Sequence, residues 1–142
     1  MGRCSHSFGC LSRLCILIPH CVDLFPTQLL DPLPAGALDR VNVIMSGQGE
    51  ACGEACKAIN KRCSAQHLVH LNTCDSLRER VGCEAGCEPA SSGMATEAMP
   101  LYVDGNVPKL HRPAMCFTAP GDATLGCGGK DTRSRRLCAC KD

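Results

Sequence analysis

The sequence predicts a small disulfide-rich α+β fold, with two short helices followed by short antiparallel strands and long irregular loops. Three observations lead there. Fourteen of the 142 residues are cysteine, the density of disulfide scaffolds rather than of cytosolic proteins. Trp is absent and only three Phe and one Tyr occur, so the aromatic area that usually dominates a small core is missing and covalent staples must stand in for it. Apolar residues also change period along the chain, from helical spacing to short strand-like runs.

The first forty-five residues read differently from the rest. A mildly basic start runs from Met1 to Arg13, and a short apolar run from Leu14 to Ile18 ends at Pro19. This resembles a weak signal-peptide core and is too short and interrupted for a transmembrane helix. His6 occupies the position where a myristoylation signal needs Ser or Thr. Pro26 to Ala37, with three prolines and a glycine, reads as an extended linker. Leu38, Val41, Val43 and Ile44 then lead into Ser46-Gly47-Gln48-Gly49, where the module is expected to begin. The expected organisation is a leader and linker over 1–45 and a cysteine-rich module over 46–142.

Within the module, Cys52, Cys56, Ile59 and Cys63 stand at i, i+4, i+7 and i+11, which predicts a helix over 50–63 with one cysteine stripe. Side chains on one stripe point the same way, so these cysteines should reach three separate partners elsewhere instead of each other. A second helix is expected over 73–81, with Asn72 as its N-cap and Cys74, Leu77 and Val81 on its inner face. Gly82 and Gly86 break the pattern near Cys83 and Cys87. Residues 88–114, punctuated by Pro89, Pro100, Pro108 and Pro113, read as a long irregular loop. Strands are expected at 115–118 and 123–127 around a Pro120-Gly121 turn, with a third at 136–140. On that strand Cys138 and Cys140 would share a face and reach two partners.

The spacing carries a family resemblance. Cys52-x3-Cys56-x6-Cys63, the His70-Leu71-Asn72 triplet, Cys83, Cys116-x10-Cys127 and Cys138-x-Cys140 followed by Lys141-Asp142 form an ordered string. It resembles the cysteine-rich C-terminal region of the alpha-1,6-mannosylglycoprotein 6-beta-N-acetylglucosaminyltransferases, glycosyltransferase family 18. The resemblance covers 46–142. It implies a type II Golgi enzyme that transfers N-acetylglucosamine from UDP-GlcNAc to a mannose of an N-glycan, with two Rossmann-like lobes upstream of this region. No Gly-rich phosphate loop in a βαβ setting occurs here, and 142 residues do not hold two such lobes beside the module. The chain alone should therefore show no transferase activity. Cys74 and Cys87 stand outside the family ladder and are expected to pair with each other. The family continues past the position of Asp142 with further cysteines; if Cys138 or Cys140 pairs with that tail in the family, one of them is free or re-paired here.

Other chemistries were weighed on the same residues. Cys63, His67, His70 and Cys74 would share one face of an unbroken helix, but distant turns of one helix do not converge on a single ion. No paired zinc-finger spacing occurs, so no metal or cofactor is expected. A nucleophilic cysteine needs a lowered pKa and a neighbouring base; in a ladder this dense, pairing is the simpler reading. Glu50 with Glu54, and Glu84 with Glu88, read as helix-start or turn residues, not as an acid–base pair. No catalytic residue is expected. Arg133, Arg135 and Arg136 with Lys130 form a short basic cluster without interleaved aromatics, read as a solvated face. Fifteen basic against fourteen acidic residues give a net charge of +1, which provides no electrostatic case for nucleic acid or an anionic membrane.

The expected role is a fragment or free-standing copy of the family 18 C-terminal module, a rigid cap whose partners are the catalytic lobes, in the Golgi lumen. The alternative is a secreted cysteine-rich binding or structural module with no enzymatic activity, located extracellularly.

Overall fold

The computed structural model describes residues 7–11, 14–18 and 35–142. The chain divides into two compact units, Met1–Pro34 and Ala35–Asp142. In the first, strands β1 (Ser7–Leu11) and β2 (Leu14–Ile18) pair antiparallel, with Cys10 opposite Cys15. The apolar run at 14–18, read above as the core of a leader, is thus one strand of a hairpin. The other leader residues, and the linker expected from Pro26 up to Pro34, lie outside the described residues.

The second unit is a small disulfide-rich α+β fold. Its elements are β3 (Asn42–Met45), α1 (Cys52–Ala58), β4 (Arg62–Cys63), α2 (Ala65–Leu71), α3 (Cys74–Arg78), β5 (Gly86–Pro89), β6 (Leu101–Val103), β7 (Met115–Thr118) and β8 (Ser134–Lys141). The sheet runs β3-β8-β6-β7-β5, with β4 also on β8. Pairings are antiparallel except that of β5 with β7, which is parallel. β8 is the hub. It is flanked by β3, β4 and β6, and Leu137, Cys138, Ala139 and Cys140 are all fully buried. A strand covered on both faces reads as an unbroken apolar run, which is why alternation is absent there.

Two apolar clusters flank this hub. One gathers Cys52, Cys56, Leu68, Leu71 and Leu77 from the helices around Leu137–Cys140. The other gathers Met99, Leu101, Val103, Met115 and Phe117. Disulfide sulfur supplies much of the first cluster's bulk, whereas the second is an ordinary hydrocarbon core.

Several expectations are corrected. The helix expected over 50–63 stops at Ala58: Ile59 is 40% exposed and Asn60 takes a φ of 57°. Asparagine tolerates this left-handed turn better than most residues, and it sends Cys63 into β4. Helix α2 fills a stretch with no assigned element; its signal is the buried pair Leu68 and Leu71 at i, i+3. The later helix begins at Cys74, and its N-cap is Thr73, whose Oγ1 accepts from the Ser76 N–H at 3.1 Å. Residues 88–114 are not one loop. They contain the end of β5, all of β6 and two 3₁₀ turns, Thr96–Ala98 and Lys109–His111. Residues 123–127 form no strand, because the Cys127 carbonyl accepts from the Gly53 N–H at 3.0 Å and the segment is held against α1. The compact unit starts at Ala35 rather than at residue 46, since β3 pairs along β8. Among the described residues, no helix is long and apolar enough to cross a membrane.

Candidate functional site

The ladder starts from a match of two repeats. Cysteines at i and i+4 on a helix lie about 6 Å apart along its axis, and residues at i and i+2 on a strand lie about 6.6–6.8 Å apart on one face. Cys52 and Cys56 on α1 can therefore meet Cys138 and Cys140 on β8 without distortion. The structure joins Cys52 to Cys138 and Cys56 to Cys140, each with a Cα–Cα distance of 5.3 Å. Both terminal cysteines are thus paired, so neither Cys138 nor Cys140 is left as a free thiol. Cys63 bonds Cys127, so the three cysteines of the first motif reach three partners as the stripe argument required, although Cys63 does so from a strand.

Two further bridges hold the other end. Cys74 at the start of α3 is joined to Cys87 on β5, and Cys83 to Cys116 on β7. Cys87 and Cys116 are register partners on adjacent parallel strands, so these bridges fasten α3 and the following turn to neighbouring positions of the sheet. Cys63 and Cys74, the two thiols of the weighed metal stripe, are both consumed by disulfides. His67 instead shares a 2.6 Å hydrogen bond with the Ser64 hydroxyl, and His70 lies edge-on to it.

The carboxylates hold loops. Glu54 Oε2 accepts from the Ala51 N–H at 2.9 Å and Glu50 Oε2 from the Gly47 N–H at 2.6 Å, which satisfies donors around the α1 start. The Ala51 N–H, aided by the Lys130 charge, holds the Glu54 carboxyl below its usual range. Glu84 accepts from the Tyr102 hydroxyl, and burial, reinforced by Glu84, pushes that phenol up. Glu88 pairs with Arg112, whose hydrogen bond lowers the Glu88 carboxyl.

The basic cluster is not a uniform solvated face. Arg136 is 1% exposed. Its Nη1 donates to the Gly129 carbonyl at 2.7 Å and its Nη2 to the Met99 carbonyl at 2.8 Å, while Nε has no partner. Desolvation pushes this guanidinium down to about 10, so it stays cationic at neutral pH. Sequence reasoning missed it because an arginine between Arg135 and Leu137 carries no local mark of burial. Arg135 pairs with Asp104 at 3.0 Å, and Lys130 lies 3.7 Å from Glu54.

Beside β6 and β7 lies an open cleft of about 410 Å³. Met99, Leu101, Val103 and Phe117 supply apolar walls, and Leu110, His111, Arg112, Asp131 and Arg133 stand among its lining. The Arg112 guanidinium sits 5.2 Å from the Phe117 ring centre. Nothing in the sequence marked this cleft, because β6 was hidden among prolines. A scan against protein-family models matches no family, and no curated protein matches the chain. The five disulfides among the described residues fit a protein that matures in the secretory pathway or outside the cell.

Proposed function

We propose that this chain is the disulfide-locked C-terminal module, or a free-standing copy of it, of an N-glycan-branching β-1,6-N-acetylglucosaminyltransferase of the family 18 type. The single observation that carries the reading is the double bridge from Cys52-x3-Cys56 on α1 to Cys138-x-Cys140 on β8. The two ends of the family-like cysteine string belong to one rigid unit. The middle of the string supports the same reading: Asn72 of the His70-Leu71-Asn72 triplet bonds Ala119, close behind Cys116. Residues that give the resemblance only as a dispersed pattern are thus contact partners.

In this reading the module has no reacting group of its own. Its work is mechanical: bridges that close long loops stiffen a surface on which the catalytic lobes pack. Substrate, UDP-GlcNAc and N-glycan mannose, would be handled by those lobes in the Golgi lumen.

The test is immunopurification of the chain from its source cells under non-reducing conditions, followed by an assay for N-acetylglucosamine transfer from UDP-GlcNAc to an N-glycan acceptor. Transferase activity should accompany the module, and the recombinant 142-residue chain should show none. Recovery of the chain without activity and without Rossmann-like lobes, either continuous with it or bound to it, would overturn the proposal and favour a secreted module working alone.

A further inference from the structure

The cleft beside β6 and β7 is not needed for a cap. We infer that it is a binding site for a small amphiphilic anion, an apolar body carrying one carboxylate-like head group. This goes beyond the proposed role and holds whether or not larger lobes pack elsewhere on the module.

Its size lies within the range of about 300–1,000 Å³ usual for small-molecule sites, and its lining mixes apolar and polar surface about equally. The walls are rigid. Met99, Leu101, Val103 and Phe117 are buried members of one core cluster, and β6 is held between β7 and β8. These four form the floor, and the hydrocarbon open to a ligand comes from Leu110, 86% exposed, and half-buried Met94 in the same lining.

The charges decide the head group. Two guanidiniums, Arg112 and Arg133, line the cleft against one carboxylate, Asp131. Asp131 is already engaged: it accepts from the Arg133 N–H at 2.9 Å and from the Ser134 hydroxyl at 3.0 Å. Burial pushes its carboxyl up, but those bonds and the Arg133 charge outweigh it and hold the carboxyl low. Both bonds fall on Oδ1, and Oδ2 faces the Arg133 Nη2 at 3.6 Å, so the carboxylate stays charged and paired with Arg133. The guanidiniums keep spare donors, since each has five N–H groups in a fork suited to a carboxylate. Arg112 gives Nη1 to Glu88, and Arg133 gives Nη1 to the His111 ring.

The backbone adds an independent sign. Arg112 and Ala114 hold φ values of 55° and 62°, left-handed conformations that side-chain-bearing residues rarely adopt. Such strain gathers at ligand clamps. The Arg112 guanidinium lies over Phe117 at the edge of the cleft, and Leu110, two residues earlier, is 86% exposed.

The experiment titrates the oxidised full chain with octanoate, octanol and octylammonium while recording methyl NMR signals of Met99, Leu101 and Val103. Octanoate should bind about tenfold tighter than octanol, because charge-assisted bonds are roughly twice as strong as neutral ones. Octylammonium should bind weakest. Arg133→Gln and Arg112→Gln should weaken octanoate severalfold and leave octanol unchanged. Glu88→Gln, an exposed change that releases Arg112 from its competitor, should tighten octanoate. Equal binding of octanoate and octanol, shifts confined to other parts of the protein, no binding at all, or indifference to Glu88→Gln would each overturn the assignment.

Discussion

Asn72 and Ala119 grip each other with two hydrogen bonds: Asn72 Oδ1 accepts from the Ala119 N–H at 2.7 Å, and Asn72 Nδ2 donates to the Ala119 carbonyl at 2.9 Å. A side-chain amide presents the same donor–acceptor pair as a neighbouring strand. It thereby ties the end of α2 to the residue after β7. Replacing Asn72 by Ala removes both bonds and leaves the Ala119 groups without those partners, a loss of about 2 kcal/mol at roughly 1 kcal/mol per bond. Asn72→Asp keeps the acceptor but turns an oxygen on the Ala119 carbonyl, so it should lose most of the same stability. Urea unfolding under oxidising conditions reads both, and wild-type midpoints for either variant would refute the clamp.

The two interleaved bridges from α1 to β8 predict strong non-additivity. Cys52–Cys138 and Cys56–Cys140 have sequence separations of 86 and 84, but with one intact the other closes only a small ring through α1 and β8. Because Cys63–Cys127 stays closed, the first bridge of the pair closes a ring of about 22 residues, for which the chain-entropy relation gives about 3.4 kcal/mol, against about 2 kcal/mol for a ring of about six. Converting either pair to alanine should therefore cost about 2 kcal/mol, and converting both about 5.5 kcal/mol, against which a small domain has little reserve. A double-mutant cycle in guanidinium measures this. Simple additivity of the two single losses would show that the bridges do not share a loop.

The cysteines and β8 were legible because their signal is local: a helical i, i+4 repeat facing a strand i, i+2 repeat, and an apolar run for a buried strand. The same stripe argument misplaced Cys63, since one left-handed residue, Asn60, ends a helix that periodicity alone continues. β6 was illegible for a different reason. Its three residues follow Pro100, and its pairing with β7 and β8 comes from distant sequence. The cleft inherited that invisibility. Arg136 was misread because its burial depends on carbonyls from two loops, at Met99 and Gly129, which no pattern around residue 136 reveals.

Those two loops make a paired glycine test. A Cβ on Gly129 would lie 2.2 Å from the Glu97 carbonyl oxygen, whereas one on Gly128 meets nothing within 4 Å. The clash is with backbone, so the loops must separate, and the Arg136 guanidinium would lose its bridge between the Gly129 and Met99 carbonyls. Gly129→Ala should cost about 2–4 kcal/mol through lost charge-assisted bonds and an uncompensated buried cation. Gly128→Ala should stay within about 0.5 kcal/mol of wild type, as surface changes usually do. Thermal unfolding of the two variants decides it; similar midpoints would mean that the contact at Glu97 is not close.

The α1 start gives a pH signature. The Glu54 carboxyl is held below the ordinary glutamate value of about 4.5, first by the Ala51 N–H and then by Lys130. A carboxyl depressed on folding releases its proton more readily in the folded chain, so the unfolded state binds more protons in acid. Its contribution to stability is complete above about 4.5 and drains away as the pH falls through the lower folded value. Glu88 and Asp142 are depressed as well, by Arg112 and Lys61, and so is Asp131, where burial is outweighed by the Arg133 N–H and its other partners, so the wild-type curve alone mixes four carboxyls. Glu54→Gln isolates one of them, since glutamine keeps an acceptor for Ala51 and does not titrate. The stability gap between wild type and Glu54→Gln should hold constant from neutral pH down to about pH 5 and shrink below 4.5. A gap of equal size at pH 7 and pH 2.5 would show that the Ala51 N–H does not discriminate the ionised carboxyl, and the cap would then be a matter of shape rather than charge.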